Sequence, residues 1–119
     1  MRFGVKFQYE GDLQKNLKQF IETTGIFCWR CYVGPIVINA GKKKIFIPNP
    51  MKGFPDFMGV VTRGEHRGKL YAIELKSATG VLSTEQSQWL AKLEWAGALV
   101  CKAKSMNDIN DFTKKHGIC

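Results

Sequence analysis

The amino-acid sequence predicts an α/β fold, a mixed central sheet with helices on its faces. Two observations lead there. Three segments carry apolar residues at helical spacing, and the stretches between them alternate or run apolar as strands do. One of those helical segments also lies between two strands, and a crossover of that kind makes the strands parallel.

In chain order, the first helix is expected from about Glu10 or Asp12 to Thr24, closed by Gly25, with Leu13, Leu17, Phe20 and Ile21 on one face. An early start puts Glu10 on that face, although Gly11 weakens it. Residues 27 to 33 alternate and residues 35 to 39 are apolar. Gly41-Lys42-Lys43-Lys44 reads as a basic turn before Ile45-Phe46-Ile47, and the Pro- and Gly-rich segment from Pro48 to Pro55 as a loop. Strands at 57–62 and 70–76 flank a turn at 63–68, which predicts a hairpin. Ser83-Thr84-Glu85-Gln86 has the form of a capping box opening a helix. Trp89, Leu90, Leu93 and Ala96 form that helix's apolar stripe, and Gly97 ends it. A strand at 98–103 and a helix begun by Ser105, carrying Ile109 and Phe112, complete the order α-β-β-β-β-β-α-β-α.

A chain of 119 residues, 45% of them apolar, can bury a core without disulfide staples, and residues 1–119 are expected to form one domain. Eighteen Lys and Arg against ten Asp and Glu give a net charge of +8, which points to a polyanionic partner, nucleic acid above all. No run approaches the roughly 18 apolar residues of a membrane span. Met1 to Lys6 lacks the apolar stretch of a signal peptide, so an intracellular location is expected. Cys28 and Cys31 form a CxxC, which invites zinc or redox chemistry. A strand there points the two thiols to opposite faces, and His66 and His116 have no partner at ligand spacing, so packed, reduced cysteines are expected instead.

The chemistry concentrates between Lys52 and Gln86. Asp56 stands at the mouth of one strand of the hairpin; Glu74, Leu75 and Lys76 lie in the other. Alternation puts Ala72, Glu74 and Lys76 on one face and Tyr71, Ile73 and Leu75 on the other. Charges on an inner strand need a partner or a metal. If the hairpin brings Asp56 beside Glu74, the two carboxylates repel unless they share a cation. Hard divalent ions suit such oxygen ligands, and phosphodiester hydrolysis needs an ion of this kind, with Lys76 placed to neutralise developing negative charge. An E-x-K tripeptide alone is a common surface pair worth little.

The run Lys52-Gly53-Phe54-Pro55-Asp56, then Ile73-Glu74-Leu75-Lys76, then Gly80-Val81-Leu82-Ser83 with Gln86, resembles the VRR-NUC domain of the PD-(D/E)XK nuclease superfamily, from about Glu10 to the end of the chain. The resemblance implies a restriction-endonuclease-like fold and Mg²⁺- or Mn²⁺-dependent cleavage of DNA. It implies Asp56 and Glu74 as metal ligands, with the Leu75 carbonyl as a further one, and Lys76 as the catalytic lysine. Gln86 matches the glutamine of the following helix, and capping could be a second role for it. Glu10, with Gln14 one turn on, resembles the helix-one acid, and Arg30 an arginine ahead of the motif. The resemblance is to small stand-alone viral and bacterial members, which tend to work as homodimers on branched DNA such as four-way junctions. Lys42, Lys43, Lys44, Lys52, Arg63 and Arg67 join Arg30 as candidate phosphate contacts. Neither a membrane nor a small-molecule cofactor is expected. The competing reading is a nucleic-acid-binding module that keeps the fold without catalysis.

Overall fold

The computed structural model describes residues 10–119; the leader assessment of Met1 to Lys6 lies outside them. The elements are α1 (Glu10–Thr24), β1 (Cys28–Arg30), β2 (Ile36–Ala40), β3 (Lys43–Ile47), β4 (Phe57–Val60), β5 (Leu70–Leu75), α2 (Thr84–Trp95), β6 (Leu99–Ala103) and α3 (Met106–Lys115). This is the order the sequence predicts.

Four strands form a mixed sheet in the order β1-β4-β5-β6. β1 and β5 both pair antiparallel with β4, and β6 runs parallel to β5 across the α2 crossover. β5 is therefore an inner strand. Its Tyr71, Ile73 and Leu75 are fully buried with Leu13 and Leu17 of α1 and Met106, Ile109 and Phe112 of α3. On the opposite face Ala72 packs with Met58 and with Leu90 of α2. Among the described residues two helices cover one face and one helix the other, so β5 is dry on both sides, as inner strands in α/β sheets are.

The structure corrects three details. The strand expected over 27–33 spans only Cys28–Arg30, because its pairing lasts three rungs, from Cys28↔Gly59 to Arg30↔Phe57. Among the described residues β2 and β3 pair only with each other, as a hairpin separate from the main sheet with every residue exposed. Ala96 caps α2 and is exposed rather than part of its apolar stripe. The early start of α1 holds: Glu10 is its first residue and Gly11 is accommodated within it.

Gly59 shows how tightly the sheet is built. A Cβ there would lie 2.1 Å from the Tyr71 ring, which crosses its neighbour so that the Tyr71 hydroxyl can donate to the Phe27 carbonyl at 2.9 Å. Only glycine leaves that space. Cys28 packs against the core on the α1 and α3 side and Cys31 against the cluster on the α2 side. The CxxC is thus split across the sheet, as strand alternation predicts, and the thiol of Cys28 is pushed up by burial to about 11.

Candidate active site

Three short hydrogen-bonded connections bring the chemistry together at the C-terminal end of β5. Asp56 directly precedes β4, where Pro55 has no N–H to extend the ladder and is itself buried. The Asp56 carboxylate takes over that rung and accepts the Leu75 main-chain N–H at 2.8 Å. The Asp56 carbonyl accepts from the N–H of Cys31 at 2.7 Å. Main chain and side chain are both fixed, and the carboxylate stands beside Glu74.

Glu74 is only 1% exposed. Gln86 Nε2 donates to its Oε1 at 2.9 Å, and Lys76 Nζ lies 3.9 Å from the same oxygen. Its Oε2 is buried and has no hydrogen-bond partner among the described residues. A buried carboxylate oxygen in that condition carries an unmet desolvation cost. Burial first, then the nearby Asp56 charge and to a smaller extent Glu10, push the Glu74 carboxyl up to about 8, against the opposing pull of Lys76 and the Asp56 main chain. The Asp56 carboxyl is also raised by burial, against the Leu75 N–H, Lys76 and Arg30, which favour its ionised form. Glu10 and Arg30 are thus near enough for their charges to be felt at the carboxylate pair.

Gln86 does two things at once. Ser83 and Gln86 complete the capping box, Ser83 N–H donating to Gln86 Oε1 at 2.9 Å and Gln86 N–H to Ser83 Oγ at 3.2 Å. With its oxygen turned to the cap, the amide must present its nitrogen to Glu74. The cap sets the orientation of the side chain that orients the carboxylate.

The 48–55 loop is held against α2 by contacts that the sequence does not reveal. Gly53 has φ +84°, and a Cβ on it would stand 2.6 Å from Glu85 Cβ and 2.9 Å from the Gln86 nitrogen. Trp89 Nε1 donates to the Lys52 carbonyl at 3.1 Å, and its ring meets Phe54 edge-on at 4.9 Å. Trp89 reads in the sequence as one residue of an apolar stripe. The clue available there is the indole N–H, which needs an acceptor when half-buried. Gly80 similarly leaves room for the Lys76 stem, since a Cβ would approach its Cδ at 3.3 Å.

The predicted phosphate contacts divide. Arg30 is exposed and pairs opposite Phe57, the residue after Asp56. Lys52 is exposed and lies 3.9 Å from Glu85. Lys42 lies in the turn of the separate hairpin and Lys43 and Lys44 begin β3. Arg63 and Arg67 stand in the turn before β5, at the opposite end of that strand from Glu74. The structure also joins two residues that the sequence leaves apart. The rings of His66 and His116 lie 5.8 Å apart, with Phe112 edge-on to His116.

Among the described residues no three His, Cys, Asp or Glu side chains gather into a metal cage. Two neighbouring carboxylates supply the oxygen donors that a hard divalent cation prefers. Glu74 Oε2, without a partner among the described residues, is an oxygen such an ion would satisfy. No helix among the described residues is long and apolar enough to cross a membrane.

No curated protein and no solved structure matches the chain. The family profile of the VRR-NUC domain matches residues 9–107, a span that takes in the carboxylate pair, Lys76, Gln86 and Glu10. The chain belongs to the VRR-NUC domain family and carries a nuclease-type domain.

Proposed function

We propose that this chain is a divalent-metal-dependent endonuclease that hydrolyses phosphodiester bonds in branched DNA, including four-way junctions, as a homodimer and one nuclease domain per chain. The observation that carries the reading is a buried carboxylate and a half-buried one beside Lys76, the buried one with an oxygen that no group among the described residues satisfies. Asp56, Glu74 and the Leu75 carbonyl would hold Mg²⁺ or Mn²⁺, with Glu10 at the margin. When bound, such an ion polarises the phosphoryl oxygen and lowers the pKa of a water.

The chain's own residues supply the rest. Gln86 and the capping box fix Glu74, and the Leu75 N–H fixes Asp56. Lys76 holds its ammonium where negative charge grows as water adds to phosphorus. The bond from phosphorus to one bridging oxygen then breaks, and that oxygen leaves as a hydroxyl after taking a proton. Arg30, Lys42, Lys43, Lys44, Lys52, Arg63 and Arg67 would meet phosphates along the substrate. The same reading puts its site of action in the cytoplasm of a bacterial or phage-infected cell, the setting of the small stand-alone members it resembles.

Two equivalent cuts at a junction call for two sites, and each chain carries one. The β2–β3 hairpin is the surface we assign to the second copy. Pairing puts Ile36, Ile38, Ile45 and Ile47 on one face and Val37 and Phe46 on the other, all at least 40% exposed. An isolated two-stranded hairpin is marginal in water and gains from a partner.

A panel of labelled branched and linear DNAs tests the activity with Mg²⁺ and with Mn²⁺. Nicking that requires the ion is expected, and Asp56→Ala and Lys76→Ala should each lower it by about 10²–10³-fold. Undiminished cleavage by either variant overturns the residue roles. Salt-sensitive binding with no cleavage under either metal would favour the non-catalytic binding module.

A further inference from the structure

Among the described residues β6 is an edge of the main sheet, and its neighbour is β5, the strand that carries Glu74. The parallel register sets Lys102 of β6 directly across from Glu74, as it sets Val100 across from Ala72. Residues paired in this way point to the same face of a sheet. The packing fits that alternation. Cys101 and Ala103 are buried on the α1 and α3 side, whereas Val100 packs with Ala72 and Leu90 on the α2 side. Lys102 therefore leaves the sheet on the face of Glu74 and Lys76, about 4.8 Å from the Glu74 backbone at the usual strand spacing. Its surroundings differ from those of Lys76. The Lys76 side chain is 15% exposed and keeps its ammonium 3.9 Å from Glu74. Lys102 is exposed and, among the described residues, forms no ion pair, although a buried carboxylate lies one rung away.

A lysine on an edge strand discourages a further strand from pairing there. That role asks for a charge on the edge, and any rung would serve it. The rung of Glu74 suits a second role. A nucleic-acid strand laid over this end of the sheet brings one negative charge with every nucleotide. One phosphate can occupy the centre at Glu74 and Lys76, and the next needs a cation of its own. Lys102 lies diagonal to Lys76, one strand over and two residues back, roughly 8 Å away by strand spacing and rise. Its flexible four-carbon stem can close on a phosphate beside that centre. We propose that Lys102 holds the phosphate next to the one at Glu74 and Lys76, and so fixes the register of the substrate strand at the cut. The proposal rests on the nuclease reading of that centre. It adds a substrate-binding residue from β6 that the motif positions do not include.

The test is a methylphosphonate scan. One phosphate at a time is made neutral in each of the two equivalent strands of a labelled four-way junction. Binding is read by fluorescence anisotropy without divalent metal. Lys102→Gln removes the charge and Lys102→Arg keeps it, and thermal melts check that both are folded. Lys102→Gln should lower the salt slope by about one per bound chain, which is about 8-fold in affinity per chain at 0.1 M salt. Lys102→Arg should keep the wild-type slope. In the wild type, neutralising one particular phosphate should cost a similar factor, and that loss should vanish in Lys102→Gln. With Mg²⁺ or Mn²⁺ the cut should fall next to that phosphate, and Lys102→Gln should raise KM with kcat nearly unchanged. A wild-type salt slope in folded Lys102→Gln, or a methylphosphonate loss that persists in it at every position, overturns the contact. A coupled phosphate several nucleotides from the cut overturns its place beside the centre. A coupled phosphate in a chain that cuts no DNA under any metal supports the contact while striking the nuclease reading.

Discussion

A carboxylate 1% exposed on an inner strand has lost nearly all of its hydration, and Glu74 regains only part of it, from Gln86 and Lys76. Burial and the neighbouring Asp56 charge make the metal-free fold prefer the protonated acid, so its pKa rises from the usual value to about 8. The sign of the linkage follows. A raised folded-state pKa gives stability that is complete below about pH 4.5 and is lost as pH climbs towards 8. Glu74→Gln removes the titration while keeping the shape. Without metal, the variant should therefore gain stability relative to wild type between pH 5 and 8, on the order of 2–4 kcal/mol at the top of that window. Denaturant melts at several pH values read this difference, and a pH-independent difference would mean that Glu74 is not the strained group. Divalent ion should reverse the order, because only the ionised wild-type side chain gains a ligand.

Among the elements, the 48–55 loop and the first turn of α2 act as one clamp. Gly53 lies in a left-handed conformation directly on the Glu85–Gln86 backbone, so a methyl group there strains φ and meets main chain as well. Gly53→Ala should cost about 2 kcal/mol or more in stability and should lower cleavage further by displacing Gln86 from Glu74. Trp89→Phe deletes one hydrogen bond to the Lys52 carbonyl while keeping most of the contact with Phe54, and should cost about 1 kcal/mol. Chemical denaturation of both variants measures the two values; equal small losses would mean that the loop is held elsewhere.

These elements also show how far the sequence could be read. The alternation that put Glu74 opposite Tyr71, Ile73 and Leu75 was legible, because a period of two leaves no other choice on a paired strand. The capping box was legible as a local pattern, and the spacing of Gln86 already turned it to the sheet. The docking of Gly53 and Trp89 was not, since it joins residues 32 or more positions apart through shape alone. The separation of β2–β3 from the main sheet was equally hidden. Its strand signal is real, but pairing partners are tertiary information.

At the scale of the whole molecule, charge and the exposed hairpin set the behaviour. With a net charge of +8, DNA binding should weaken steeply as salt rises, with a slope that counts the phosphates contacted. The four-isoleucine face of the hairpin should bring two chains together. Light scattering is expected to give a dimer at micromolar concentration for the wild type and a monomer for Ile38→Glu, which puts a charge on that face. A wild-type monomer at those concentrations would contradict the assembly.

The most direct measurement is metal-dependent cleavage of a labelled four-way junction by the wild type and Glu74→Gln side by side, with metal binding followed by calorimetry. The wild type should bind Mg²⁺ or Mn²⁺ and nick the junction, while Glu74→Gln remains folded, loses most metal affinity and cuts at least about 100-fold more slowly. Wild-type rates in a Glu74→Gln protein, or cleavage that persists in excess chelator, would contradict the proposed centre.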